Sequence, residues 1–234
     1  AIDPEFVAEE QGTTPGTTLQ FARDIFVQGN YAYVITGDNL GAGRNSLAVI
    51  DISNPSDPVF VAEERGPTPG TTLNEASSVF VSGNYAYVTT AVRDSLAIID
   101  ISNPSDPVFV AEERGIAGTT LNAASDVFVA GNYAYVLAAN NGSLVVIDIS
   151  NPSDPVVVAE EFGPTPGTSL LLAYYLHVVG NYAYVTSSFR DSLAIIDISN
   201  PADPVFIAEE RGTVPGTTLD GAWSGCVAEK KNYV

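Results

Sequence analysis

The sequence predicts an all-β fold, specifically a five-bladed β-propeller of four-stranded antiparallel blades. Three observations predict it. A unit of about 49 residues recurs along the chain. Each unit reads as four short apolar strands separated by turn residues. The strand types occur in unequal numbers, and the imbalance says how the two ends meet.

The repeat is plain in the 234 residues. Gly-Asn-Tyr-Ala-Tyr-Val begins at Gly29, Gly83, Gly131 and Gly180. Asp-Ile-Ser-Asn-Pro begins at Asp51, Asp100, Asp148 and Asp197, and Ala-Glu-Glu at Ala8, Ala62, Ala111, Ala159 and Ala208. Periods of 20–50 residues signal repeat architectures. In the second unit the strands read Ser78–Val81, Tyr85–Val88, Leu96–Ile101 and Val108–Glu112. Gly83-Asn84 suits a tight hairpin. Ser102-Asn103-Pro104-Ser105-Asp106-Pro107 cannot continue a ladder, because two prolines remove donors and the short polar residues favour turns. The runs are β-branched and aromatic and are apolar on both faces. Sheets covered on one side only alternate with polar residues, whereas propeller blades bury both faces against their neighbours.

Counting strands gives the blade number. The first-strand position occurs five times, ending at Val27, Val81, Val129, Val178 and Val227; the third strand occurs four times. Leu219–Val234 aligns without gaps on Leu73–Val88. The expected organisation is one domain, 1–234, with repeats at about 20–66, 74–115, 122–163 and 171–212. A closing blade pairs 219–234 with 1–11 and lacks one strand of about 15 residues. Such an edge predicts either a monomer with a three-stranded closing blade or an edge-paired homo-oligomer.

Composition limits the functional classes. Charged residues are 16% and hydrophobic residues 45%, enough apolar material for a large core. No apolar run approaches the roughly 20 residues of a membrane span, and no signal-peptide pattern opens the chain. The net charge of −19 opposes nucleic acid and anionic membrane surfaces and favours solubility. Cys226 is the single cysteine, so no intrachain disulfide or cysteine metal cluster is expected. His177 stands where other copies carry Phe26, Phe80 and Phe128, and reads as a core residue. No calcium loop, phosphate loop, zinc spacing or dinucleotide motif is present, so no cofactor or metal is expected.

Leu144-Val145-Val146-Ile147-Asp148 with Ile149-Ser150-Asn151-Pro152, preceded by Val129 to Val136, resembles the signature of the LVIVD-repeat family. The resemblance covers nearly the whole chain in four copies. It implies a propeller presented at the surface or secreted, and it brings no catalytic residues. The copies are unusually alike, with Ser95–Pro104 identical to Ser192–Pro201. That uniformity fits recent duplication, or a truncated or engineered scaffold.

Strand order sorts the loops onto two faces. The Gly-Asn and Asn-Pro turns share one, nearly invariant among copies. The loops between second and third strands share the other with the links between blades, and these vary. Binding residues sit on variable loops of rigid scaffolds. The seven arginines map to that face: Arg23, Arg44, Arg65, Arg93, Arg114, Arg190 and Arg211. They would hold oxyanions bidentately, unless they pair locally with Asp94, Asp191 and the Glu-Glu pairs. The residue before Ser78 and its counterparts is Arg23, Ser77, Ser125, Tyr174 and Trp223; two positions earlier stand Phe21, Glu75, Ala123, Leu172 and Gly221. These should ring the mouth of a central channel.

The expected function is a non-enzymatic binding or interaction module, extracellular or at the cell surface. Its ligand would be a glycan, a small anion or a protein. Candidate contacts are Arg23, Tyr174, Trp223, Arg93, Arg190, Phe21 and Glu75. The alternative is a carbohydrate-active hydrolase using Asp24, Asp126 and Glu75 at the channel mouth, since glycoside hydrolysis needs paired carboxylates. A third reading is a structural repeat scaffold with no ligand.

Overall fold

The computed structural model describes residues 7–9, 19–37, 45–67, 72–115, 120–164 and 170–211. Within these, sixteen strands form four four-stranded antiparallel sheets, each in sequence order. The first blade comprises β1 (Ala22–Gln28), β2 (Tyr31–Thr36), β3 (Ser46–Asp51) and β4 (Val59–Glu64). The second comprises β5 (Ala76–Ser82), β6 (Tyr85–Thr90), β7 (Ser95–Asp100) and β8 (Val108–Glu113). The third comprises β9 (Ala124–Ala130), β10 (Tyr133–Ala138), β11 (Ser143–Asp148) and β12 (Val156–Glu161). The fourth comprises β13 (Ala173–Val179), β14 (Tyr182–Ser187), β15 (Ser192–Asp197) and β16 (Val205–Arg211).

The two-residue period divides each strand between two neighbours. Tyr33, Ile35, Leu47 and Val49 of the first blade pack on Val79, Val81, Val88 and Ile99 of the second. Tyr87, Leu96 and Ile98 turn the other way, onto Val127, Val136, Val145 and Ile147 of the third. Tyr135, Leu137, Leu144 and Val146 then meet Leu176, Val185 and Ile196 of the fourth. Strands apolar on both faces are therefore accounted for by radial stacking.

The inner strands β1, β5, β9 and β13 lie side by side in that order. Phe26, Phe80, Phe128 and His177 form a ladder along them, with successive ring centroids 4.8, 4.7 and 5.3 Å apart. His177 thus takes the fourth place in an aromatic row, edge-on to Phe128. Among the described residues no comparable packing joins β13 back to β1. The outer flank of the first blade keeps its own apolar set, Ala32, Val34 and Ile50 with Leu19, Ile52 and Phe60. Most of the expected closing blade, including Trp223, Gly221 and Cys226, lies outside the described residues, as does Arg44.

Local chemistry explains the repeated motifs. Gly29, Gly83, Gly131 and Gly180 take left-handed φ of 58–60° in the hairpins, a conformation that costs other residues about 1 kcal/mol. In the second turn Asp51 accepts from Ser53 N–H at 2.8 Å and Asn54 from Ser56 N–H at 3.2 Å. The aspartate–serine pair recurs at Asp100, Asp148 and Asp197. Bonds from Ser53, Ser150 and Ser199 hold Asp51, Asp148 and Asp197 below the usual carboxylate range. In the second to fourth Ala-Glu-Glu copies the second glutamate accepts from a glycine N–H two residues on: Glu64 from Gly66 at 2.5 Å, Glu161 from Gly163 at 2.6 Å, and Glu113 from Gly115. These motifs build turns.

Candidate functional site

Each inner strand enters through a distorted first turn. Phe21, Glu75, Ala123 and Leu172 hold positive φ of 60, 51, 55 and 50°. Non-glycine residues seldom do so. In the first, second and fourth blades the following alanine N–H closes a turn onto a leucine carbonyl, as Ala76 does to Leu73 at 3.1 Å. Two residues after the left-handed position, the pairing with the second strand skips one residue. Ala22 faces Thr36 but Asp24 faces Ile35, so Arg23 is extruded. Ser77, Ser125 and Tyr174 are extruded at the same place in the other blades. A bulge re-aims a side chain. The register that varies most in sequence is therefore the one released from the ladder where the inner strands begin.

Two cavities meet there. One of about 480 Å³ runs between the inner strands, lined by Arg23, Asp24 and Phe26 and their counterparts in the other three blades, among them Tyr174 and His177. A second of about 540 Å³ lies at the rim, bounded by Arg23, Ser77, Ala91, Ser125, Asn140 and Tyr174. Ser77 and Ser125 spend their hydroxyls on the next blade, donating to Ala124 O at 2.6 Å and Ala173 O at 2.8 Å. Arg23 and Tyr174 carry larger groups at this register. Tyr174 is 37% exposed and Phe21 46%.

The remaining predicted residues disperse. Phe21 and Glu75 occupy the left-handed rim positions and line neither cavity. Arg93 lies in the β6–β7 loop and clamps Glu112 bidentately, at 3.0 Å from Nε and 2.8 Å from an Nη. Burial works against the Glu112 charge, but the bonds from Arg93 and Ser95 outweigh it and hold its carboxyl below its ordinary value. Arg65 pairs with Glu63 and Arg211 with Glu209, both at 2.7 Å, while Arg114 donates to Arg93 O at 3.0 Å. Arg190 lies in the β14–β15 loop, its N–H on Ser187 Oγ at 3.2 Å. The expected local pairing thus holds for Arg65 and Arg211. For Arg93 the partner is Glu112 instead of Asp94, because Asp94 takes a left-handed turn (φ 55°) and its carboxylate accepts Ala123 N–H of the next blade at 2.8 Å.

Asp24 and Asp126, at one register in non-adjacent blades, are joined by Ser78 of the blade between them. Its Oγ lies 2.9 Å from Asp24 Oδ2 and 2.7 Å from Asp126 Oδ1. Asp24 also accepts Val79 N–H at 2.9 Å and Ile25 N–H at 2.8 Å. Asp126 accepts Val127 N–H at 2.9 Å and Leu176 N–H at 2.6 Å. Burial pushes the Asp126 carboxyl up to about 6; the bonds from Ser78, Leu176 and Val127 oppose this, and the Asp24 charge adds to it. Each aspartate therefore ties its own strand to the next blade. Sequence reasoning named both aspartates and missed Ser78; a hydroxyl between two acids at one register was the available signal.

The profile of the LVIVD repeat matches residues 21–63, 74–112, 122–160 and 173–209. The chain belongs to the LVIVD-repeat family. No curated protein matches this LVIVD-repeat chain. Among solved structures it is similar to a Lactobacillus plantarum protein, at 10% identity and a TM-score of 0.66 over 83% of this chain and 57% of that one. A functionally unknown Desulfotomaculum acetoxidans protein gives 14% and 0.63 over 80% and 55%. The periplasmic gluconolactonase of Pseudomonas aeruginosa gives 14% and 0.62 over 82% and 58%. The LVIVD-repeat chain spans a little over half the length of these structures, and the likeness is one of fold.

Proposed function

We propose that the protein is a non-enzymatic binding module whose ligand enters the channel mouth from the variable face. The observation that carries this reading is the cavity of about 480 Å³ whose walls repeat while its extruded rim residues do not. Arg23 supplies a cation with forked donors and Tyr174 an exposed ring. That pairing suits a glycan or a small hydroxylated anion, held by hydrogen bonds and stacking. Trp223, at the same register in sequence, is the third contact, with Phe21 and Glu75 at the rim. Arg93 fits less well, since Glu112 already engages it. Binding to a glycan and small-anion panel, measured by calorimetry, should weaken at least 10-fold in Arg23→Ala and Tyr174→Ala. A panel without hits, or hits unchanged by both replacements, would sink the reading.

A hydrolase remains as a second reading because Asp24 and Asp126 share one hydroxyl. The backbone N–H groups on both carboxylates favour a structural role. Turnover of a lactone or polysaccharide that is lost in Asp126→Asn at unchanged stability would favour the enzyme.

The ring is proposed to close with a fifth blade formed by 219–234 and the N-terminal segment. An apolar hollow of about 420 Å³ on the first blade's flank supports it, lined by Ala8, Leu19, Ile25, Val34, Ile50 and Pro58. Ending the chain at 218 should lower Tm and promote self-association by light scattering; an unchanged monomer would exclude closure by this segment. Presentation outside the cytoplasm is proposed on the family resemblance, and fractionation of the source cells tests it.

A further inference from the structure

Ser78 Oγ stands within hydrogen-bond distance of two carboxylates, yet a hydroxyl has one hydrogen to donate. The other short oxygen–oxygen contact needs a proton from a carboxyl group. Among the described residues the other hydrogen bonds to the pair come from backbone N–H groups, two on each aspartate, and none can reverse direction. We propose that Asp126, Ser78 and Asp24 form a one-proton relay across three blades, in which Asp126 Oδ1–H donates to Ser78 Oγ and Ser78 Oγ–H donates to Asp24 Oδ2. The relay is a pH-sensitive clasp on the inner wall of the channel. In mild acid every contact has a donor. At higher pH the proton leaves and two anions compete for one hydroxyl beside the cavity.

Burial selects the proton's position. Asp126 is 9% exposed, so its charged form loses more hydration than that of Asp24. The same residue's upward shift to about 6 agrees. Among the described residues few competing charges surround the pair. β1 contributes Arg23, β5 and β9 add no other charged residue, and β13 faces the channel with Tyr174, Tyr175 and His177. The second strands behind them, β2, β6, β10 and β14, carry tyrosines as their only titratable groups.

The folded state holds a proton that the unfolded chain releases near pH 3.9. Stability from this group is thus fully present below that pH and is lost as pH rises through about 6. The test compares wild type with Asp126→Asn, whose side chain cannot ionise at any pH. The ratio of their unfolding constants should rise about 100-fold between pH 3.5 and 7.5, from a two-unit shift. Infrared difference spectra of the wild type should show a carboxylic-acid band, titrating near pH 6 and missing from the variant. In Asp24→Asn that midpoint should fall, because the neighbouring charge is gone. Three results overturn the relay: a variant equally destabilised at both pH values, an Asp126 band titrating below pH 4.5, or a midpoint indifferent to Asp24→Asn. If Asp126→Asn fails to fold, the wild-type and Asp24→Asn spectra still decide it.

Discussion

Replacing Ile98 by alanine should destabilise the protein by about 4 kcal/mol, within the range for a fully buried isoleucine. Ile98 sits mid-strand in β7, opposite Tyr87 on β6 and Ala111 on β8. It is 0% exposed and packs with Leu96 and Tyr87 against Leu121, Val127, Val136 and Val145 of the third blade. Both walls of the cavity so created are hydrogen-bonded sheets. They cannot slide inward without breaking ladders, so little of the volume is recovered. Val108→Ala provides the contrast. That residue is 51% exposed on β8, and surface changes of this kind stay within about 0.5 kcal/mol. Urea unfolding of the two variants beside wild type measures the difference. A loss under 1 kcal/mol for Ile98→Ala would mean that the second and third blades are not packed face to face.

Gly142→Ala should cost about 3 kcal/mol, against about 1 kcal/mol for Gly131→Ala. Both glycines hold left-handed conformations, φ 65° and 59°. A methyl on Gly131 meets nothing within 4 Å; one on Gly142 would lie 2.9 Å from Leu171 N and 3.1 Å from its Cα. Backbone cannot swing aside as a side chain can. The repeat explains why glycine appears here alone. Asp94 and Asp191 occupy the same loop position with φ of 55° and 50°. In the second blade Asp94 reaches the next blade with its side chain, accepting Ala123 N–H. In the third blade the equivalent donor, Leu172 N–H, goes to the Ala139 carbonyl at 2.8 Å. A backbone carbonyl takes the place of the side-chain acceptor, and no Cβ fits at Gly142. Thermal unfolding of the two glycine variants isolates this contact, and equal losses would refute it.

These two sites show where sequence reading reaches and where it stops. The burial of Ile98 and Ile99 toward opposite neighbours follows from apolar runs on both faces of a strand, and the repeat then implies radial stacking. The loop position of Gly142 is equally visible by alignment of the copies. Its close approach to Leu171 is not, because it depends on a hydrogen bond chosen between blades. The same holds for the candidate site. Arg23, Ser77, Ser125 and Tyr174 were recognisable as the variable register, but the bulge that extrudes them is a property of the paired strands. The arginines divided similarly: Arg65 and Arg211 found glutamates two residues away, whereas Arg93 crossed to a strand 19 residues on.

By itself the sequence determined the all-β class, the unit of four strands, the four complete repeats and the two unlike faces. Those are set by short-range chemistry: two-residue alternation, prolines and glycines at turns, and copies that repeat it. Tertiary structure alone decided which groups meet across blades. It put Ser78 between Asp24 and Asp126, and sent Asp94 to Ala123 in place of Arg93. Such contacts depend on angstrom-scale offsets between neighbouring sheets. Many side chains share in setting those offsets, and no single repeat encodes them.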